Sequence, residues 1–213
     1  MNLAAKLKNG IFDLYQATGK LFGGDLKLDC KVTALPRKVQ YQTKFTLKRL
    51  ELKKALRAFG DRTLNSGTLE MNGDLHTSGS NIANMISRLN GSGSLSLSKV
   101  GISGGTGRGS MLSGVTALLA SLNQFAGSLG SKTGSGNADL YGSFKINKGV
   151  AKFNDLILNS NIGSGSAKGV VDLPNWYLNT KGNLKLSKNI CLQVLAKQDG
   201  PQLIPFTVSG LLH

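Results

Sequence analysis

Hydrophobic and polar residues alternate along most of the chain, which is the pattern of half-buried β-strands. Strands that are covered on both faces read as continuous apolar runs, so the alternation predicts an antiparallel sheet with one apolar and one wet face. The positions that we assign to the apolar face, as groove wall or core, are Leu26, Leu28, Val39, Tyr41, Phe45, Leu69, Met71, Leu95, Leu97, Leu140, Phe144, Ile146, Val171, Leu173, Leu178 and Leu184.

Segments of helical spacing interrupt this alternation. Residues 51–59 and 80–89 predict two short helices, the second with Ser80 as its N-cap and with Ile82, Ile86 and Leu89 on one side. Residues 111–129 predict a longer amphipathic helix that covers part of the apolar face. Its apolar stripe includes Leu112, Val115, Leu119, Leu122 and Phe125.

Turn-forming pairs fall where the alternation breaks, at Pro36-Arg37, Asn90-Gly91, Lys148-Gly149 and Pro174-Asn175. Together the elements predict a mainly β fold, a curled antiparallel sheet with an apolar concave face, one covering amphipathic helix and one or two short helices. The 213 residues, 28 of them Gly, fit a single domain over residues 1–213, with a possible sub-boundary at the Gly-rich loop and helix of residues 101–136.

The chain is strongly basic, with 26 Lys and Arg against 11 Asp and Glu and a net charge of +15. This charge favours anionic partners such as nucleic acids or acidic lipid head groups, although a solvated basic surface explains it equally well. Proteins that bind single strands place aromatic residues among basic ones. Here Tyr41, Phe45 and Phe144 lie in the apolar phase, away from the lysines, so we expect no nucleic-acid partner.

The sequence offers little for catalysis, and we expect a protein that is not an enzyme and that holds no metal or cofactor. Its two histidines are His76 on the polar phase of a strand and His213 at the end. The glycine-rich stretch GISGGTGRGS (residues 101–110) lacks the lysine of a phosphate-binding loop. Cys30 continues an apolar phase and is predicted to be a buried thiol; whether it pairs with Cys191 stays open.

The beginning of the chain has no apolar run and predicts no signal peptide. The apolar region at residues 111–129 is interrupted by Ser, Gly, Asn and Gln, which argues against a membrane-spanning helix. We therefore expect neither a signal nor a transmembrane segment in this chain.

Several motifs resemble the C-terminal region of AsmA-family proteins. These are LNGSGSLSLSKVGISG (residues 89–104), FKINKGV (residues 144–150), the Gly-rich run at residues 165–169, VDLP (residues 171–174) and IPFTVSGLL near the end. The resemblance is specific from residue 89 onward and looser before it, and it rests on order and spacing because no motif is a catalytic signature.

The resemblance implies a bacterial cell-envelope protein on the periplasmic side of the inner membrane, related to bridge-like lipid-transfer proteins. Members of the family carry an N-terminal anchoring helix, so membrane association would run through an N-terminal part that is missing here. A C-terminal fragment, a split-gene product and a truncated chain all stay open.

Residue pattern and resemblance together lead to one functional hypothesis. The apolar face holds or conducts phospholipid acyl chains and supports the lipid homeostasis and assembly of the outer membrane, with phospholipid as the partner. The alternative is a structural or interaction module whose sheet packs on a missing N-terminal region or on a partner protein. A further interpretation is that any single one of these apolar residues belongs to an ordinary closed core and contacts no ligand.

Overall fold

The computed structural model describes residues 2–36, 38–58, 64–102, 138–160, 163–186 and 203–211. Its elements are, in chain order, β1 (Asn2–Lys8), β2 (Ile11–Leu21), β3 (Gly24–Leu35), β4 (Lys38–Glu51), α1 (Leu52–Ala58), β5 (Leu64–Ser78), α2 (Ile82–Ser87), β6 (Asn90–Ile102), β7 (Ala138–Asn147), β8 (Val150–Ser160), β9 (Gly163–Asp172), β10 (Tyr177–Leu186) and β11 (Leu203–Leu211).

These strands form one 11-stranded sheet in which every strand pairs with its neighbours in sequence, from β1 at one edge to β11 at the other. All pairings are antiparallel. The mainly β, antiparallel fold that the alternation predicts is confirmed. The predicted covering helix at residues 111–129, with its apolar stripe, lies outside the described residues, as do most of the Gly-rich loop and Cys191.

Each strand has an inner, apolar face and an outer, polar face. In β7 the side chains of Ala138, Leu140, Phe144 and Ile146 are buried, whereas the odd-numbered residues of the strand are exposed. Because side chains alternate with a period of two, the pairing register carries this inner face from strand to strand across the sheet.

Strands β2, β4, β6 and β8 each contain a β-bulge, at which two residues face one residue of the neighbouring strand. In β2, β4 and β6 the bulge includes a residue in the left-handed region, namely Gln16 (φ 55°), Arg49 (φ 56°) and Lys99 (φ 53°). The register of β8 also shifts, between Phe153 and Leu156. Bulges bend a strand and increase its twist, which explains how a long single sheet curls.

Carboxylates stabilise three of these bulges. Asp29 accepts the backbone N–H of Gln16 at 2.8 Å, and Asp139 accepts that of Lys99 at 2.7 Å. Asp155, within the bulge of β8, accepts the Ser143 N–H at 2.8 Å and its hydroxyl at 2.7 Å. These bonds satisfy amide groups that the interrupted ladder leaves without a cross-strand partner.

The two short helices behave differently. In α1, Leu52 and Leu56 are 2% and 6% exposed and close the core beside β4 and β5. In α2 the predicted cap is wrong, because Asn81 rather than Ser80 accepts the Asn84 N–H from an extended backbone. Ile82, on the apolar side of this helix, is 75% exposed.

The strand ends differ from the predictions at several positions. Leu173 and Trp176 belong to the turn between β9 and β10, and not to the strands to which the alternation assigns them. Asn90-Gly91 begins β6 and is not a turn. Cys30 is a free, half-buried thiol that accepts a hydrogen bond from the Thr43 hydroxyl, so the prediction of a buried thiol is wrong.

Candidate apolar groove

A row of leucines crosses the inner face at the end nearest to α1. Directly paired positions of consecutive strands from β4 to β11 form it, in the order Leu50, Leu69, Leu97, Leu140, Leu158, Gly165, Leu184 and Ile204. Leucines at directly paired positions contact one another across each strand pair. The row therefore forms a continuous apolar wall across eight strands.

Phenylalanine rings lie over glycines in the next part of the inner face. A Cβ atom added at Gly73 would lie 2.7 Å from the ring of Phe45, and one at Gly93 would lie 2.5 Å from the ring of Phe144. Phe45, Gly73, Gly93 and Phe144 occupy directly paired positions of β4, β5, β6 and β7. The two rings thus fill the space that side chains at the two glycines would take, and the floor of the face stays low.

A similar arrangement occurs near the last edge of the sheet. A Cβ atom at Gly182 of β10 would lie 2.6 Å from the ring of Phe206 on β11. At Gly142 of β7 it would lie 2.9 Å from the side chain of Leu156 on β8. In both places a large apolar side chain of one strand covers a glycine of the next.

In β4 and β6, burial falls from the end beside α1 to the other end. Beside α1, Leu97 and Val100 are 3% and 1% exposed. Toward the opposite end, Leu75 of β5 is only half-buried, and α2 contributes no buried residue to cover it. Phe12 of β2, on the same face, is 41% exposed. At that end of β7 and β8, however, Ile146 and Ala151 are 8% and 5% exposed. The inner face is therefore closed near α1 and across β7 and β8, and it opens toward the β1–β2 edge and the α2 end of β4 and β5.

The inner face carries no charge on the described strands. None of the positions that share it is Asp, Glu, Lys, Arg or His. Its polar side chains include Thr43, Thr77 and Thr180, of which Thr180 is 6% exposed. A face without charge suits contact with hydrocarbon.

The structure brings the sequence-predicted face together, apart from Leu173 in its turn. The inner-face positions comprise Leu26, Leu28, Val39, Tyr41, Phe45, Leu69, Met71, Leu95, Leu97, Leu140, Phe144, Ile146, Val171, Leu178 and Leu184. The predicted helix residues Leu112, Val115, Leu119, Leu122 and Phe125 lie outside the described residues, so their covering role stays a prediction.

Sequence reasoning missed part of this face. Leu50 and Val100 follow the bulges of β4 and β6, where the alternation changes phase, and they are 6% and 1% exposed. Leu158 and Phe206 lie in segments that the sequence marks as apolar, but only the register places them on the inner face. The signal for Leu50 and Val100 is an alternation that resumes after one extra residue.

The outer face is polar, and in its first half acidic and basic groups pair. Asp25 binds both Lys20 and Arg49, and these hydrogen bonds, Lys20 first, lower the pKa of Asp25 from 3.8 to about 2. The hydroxyl and amide of Ser143 likewise lower the pKa of Asp155. These shifts reflect local hydrogen bonds of carboxylates and do not converge on a reactive centre.

Within the described residues, no group of three or more His, Cys, Asp or Glu side chains is placed to hold a metal ion. The described helices include none with the length and apolar character to cross a membrane. Comparison of the chain with protein-family models, with curated proteins and with solved structures finds no match. The inner face itself therefore carries the functional argument.

Proposed function

We propose that the protein is a non-enzymatic lipid-handling protein of the bacterial cell envelope, on the periplasmic side of the inner membrane. Its inner face holds or conducts the acyl chains of phospholipids, in line with the role that the resemblance to the AsmA family implies. The observation that carries this proposal is an uncharged apolar face that crosses the whole sheet and is exposed toward the β1–β2 edge, where Phe12 is 41% exposed.

The energetics favour apolar ligands of no fixed shape. Each methylene group that leaves water contributes about 0.8 kcal/mol, so a partly enclosed acyl chain binds without a specific pocket. The rings over Gly73 and Gly93 give the face an apolar floor, and the wall beside α1 closes one end. An acyl chain would thus lie across the strands, with its polar end toward the open β1–β2 edge.

Acyl binding is testable with the full chain and a fluorescent fatty acid, together with lipid extraction of the purified protein. Leu75→Gln places an amide on the open part of the inner face, whereas His76→Gln places the same side chain on the outer face of the same strand. An amide that loses water without gaining a partner weakens binding about tenfold. We expect this loss for Leu75→Gln and unchanged binding for His76→Gln.

Wild-type protein that binds no fatty acid and carries no extractable lipid contradicts the proposal. Equal binding by the two variants also contradicts it, because the probe would then not sit on the inner face. Circular dichroism of both variants establishes that the sheet has formed before binding is compared.

A second candidate function is a structural or interaction module, and the two edge strands favour it. Leu7 of β1 is 75% exposed, and Leu203 and Leu211 of β11 are 64% and 59% exposed. Edge strands offer unpaired backbone groups to a strand from a partner. Size-exclusion chromatography separates the candidates, because a module of this kind self-associates or binds a partner strand in lipid-free buffer.

A further inference from the structure

The outer face of the sheet divides into a first half, on β1–β5, and a second half, on β7–β11. The two halves differ in the charges that occupy directly paired positions. In the first half, acidic and basic residues occupy directly paired positions. These pairs are Lys6 and Asp13, Asp13 and Lys31, Lys20 and Asp25, Asp25 and Lys48, Asp29 and Lys44, and Lys44 and Asp74. Opposite charges at paired positions stabilise a sheet.

In the second half, lysines face lysines. Lys145 of β7 is directly paired with Lys152 of β8, and Lys168 of β9 with Lys181 of β10. Lys185 lies further along β10 on the same face, and all five side chains are exposed. Like charges at paired positions destabilise a sheet, so this arrangement does not serve folding.

The acidic residues of this half do not neutralise the lysines. Asp139 binds the Lys99 backbone, Asp155 binds Ser143, and Asp172 binds Asn175 in the β9–β10 turn. The ion pairs of the described residues all lie between residues 20 and 74. Within the described residues, the five lysines of the second half therefore have no ion-pair partner, and their ammonium groups are available to an anion.

An open depression of about 860 Å³ lies among these lysines. Three lysines and one carboxylate, Lys152, Lys168, Lys181 and Asp155, line it together with amide and apolar side chains that include Asn179, Asn183, Ile157 and Phe206. The lysines outnumber the carboxylate, so the depression keeps a net positive charge. Ammonium and amide groups donate hydrogen bonds to phosphate oxygens. Its volume is sufficient for a phosphate-bearing group.

Exposed aromatic and aliphatic residues lie at the end of the same face. Tyr177 of β10 is directly paired with Leu211 of β11, and these residues are 40% and 59% exposed. Trp176, in the adjacent turn, is 41% exposed. Tyr177 is four residues from Lys181, a distance of about 13 Å along the strand. Tryptophan and tyrosine favour the boundary between head groups and acyl chains in a bilayer.

From this combination we propose that the outer face of β7–β11 is a docking surface for an anionic phospholipid bilayer. The lysines meet the phosphates and acidic head groups, and Trp176, Tyr177 and Leu211 contact the acyl boundary. Nucleic acid would satisfy the lysines but not the exposed aliphatic residue beside the aromatic ones. This proposal concerns the outer face and does not depend on acyl binding by the inner face.

Vesicle flotation with the full chain tests the docking surface. The probes are vesicles of pure phosphatidylcholine and vesicles of phosphatidylcholine with phosphatidylglycerol, each at low and high salt. We expect binding only to the anionic vesicles, weakened by salt. Each lysine at an anionic surface contributes about fivefold, so the double variant Lys168→Gln/Lys181→Gln should bind about 30-fold more weakly.

A matched control loses the same charge from the other half of the outer face. Lys31→Gln/Lys44→Gln should change vesicle binding less than about threefold, because Lys31 is directly paired with Asp13, and Lys44 with Asp29 and Asp74. The charge-preserving variant Lys168→Arg/Lys181→Arg should restore binding. Acyl-probe binding should be the same for both Gln variants, which separates this surface from the inner face.

Three results would overturn the proposal. The first is equal binding to neutral and anionic vesicles, and the second is equal weakening by the two Gln double variants, which would indicate net charge rather than a surface. The third is tighter binding to a single-stranded oligonucleotide than to anionic vesicles at the same salt. Tyr177→Ser adds a further readout, since the loss of the aromatic contact should weaken vesicle binding without changing its salt dependence.

Discussion

Replacing Gly73 with alanine inserts a methyl group where the ring of Phe45 now lies. The added Cβ would be 2.7 Å from Cε1 and 3.0 Å from Cζ of that ring, while the nearest backbone atom, the Ser92 oxygen, stays at 3.4 Å. Real Cβ atoms do not approach other atoms to 2.7 Å. The ring must therefore move away from its place over β5, and the strain comes from one side chain and not from the backbone.

The size of the effect follows from two opposing contributions. Overpacking of an ordered apolar site costs about 1–3 kcal/mol. Alanine in place of glycine returns about 0.5–1 kcal/mol, because the unfolded chain loses conformational freedom. We therefore expect Gly73→Ala to lower the free energy of unfolding by about 1–2 kcal/mol.

Urea unfolding followed by circular dichroism measures this change, and a double-mutant cycle assigns it. Phe45→Leu removes the ring, so the methyl group of Gly73→Ala meets no obstacle in the double variant. Contacting residues show coupling of about 0.5–3 kcal/mol. We expect the double variant to be more stable than the sum of the single variants by about 1–2 kcal/mol.

Gly19→Ala is the matched control, because Gly19 also lies on the inner face and an added Cβ there meets nothing within 4 Å. This variant should be unchanged or more stable by up to about 1 kcal/mol. Equal destabilisation by the two alanine variants, or additive single variants in the cycle, would refute the placement of the Phe45 ring over Gly73 and with it the low floor of the groove.

Two further predictions concern the wall and the outer face. Leu140→Ala, at a site 8% exposed in the leucine row, should lower the free energy of unfolding by about 2–5 kcal/mol, while Tyr141→Ala on the outer face should change it by less than about 0.5 kcal/mol in the same urea titration. Asp25, whose pKa its bonds to Lys20 and Arg49 lower to about 2, stabilises the fold at neutral pH, and this contribution should disappear as the pH falls from 3.8 toward 2. Asp25→Asn should lack that part of the pH dependence, and an unchanged profile would contradict the prediction.

Much of the sheet is predictable from the sequence because its strands keep one side chain in two on the apolar face. In β7, Leu140, Phe144 and Ile146 are read correctly from the alternation alone. The hairpin at Lys148-Gly149 is also predictable from the sequence. Both residues have positive φ, and glycine adopts that conformation at no steric cost. Local sequence and global fold agree in this part of the chain.

Bulges explain several of the failures. A bulge adds one residue to a strand, so the apolar residues shift from even-numbered to odd-numbered positions or the reverse. The alternation then breaks, as it does at the end of a strand. β2 was not recognised as a strand, because Phe12 and Leu14 precede the bulge while Ala17 and Leu21 follow it in the other phase. In β4 and β6 the same change of phase hides Leu50 and Val100 from the alternation. The bulges depend on partners such as Asp29 and Asp139 in neighbouring strands, which a local pattern does not contain.

Long-range register explains the rest. The pairing of Phe45 with Gly73, and of Lys168 with Lys181, joins residues on separate strands, and no single segment encodes either pair. A helix cap is more local, yet Ser80 and Asn81 are both suitable residue types. The extended backbone at Asn81 decides between them.

The two faces of the sheet impose different chemical requirements on a partner, and this difference bears on both proposals. The inner face carries no charge on the described strands and must be met by apolar matter, whereas the outer lysines of β7–β10 must be met by anions. A phospholipid carries both chemistries in one molecule, and a bilayer presents them in separate layers. If the vesicle assay succeeds and the fatty-acid assay fails, the sheet is a membrane-bound scaffold with a closed core. If only the fatty-acid assay succeeds, the protein carries acyl chains without resting on a membrane surface. If both assays succeed, the groove of a lipid carrier lies beside the bilayer that supplies its ligand.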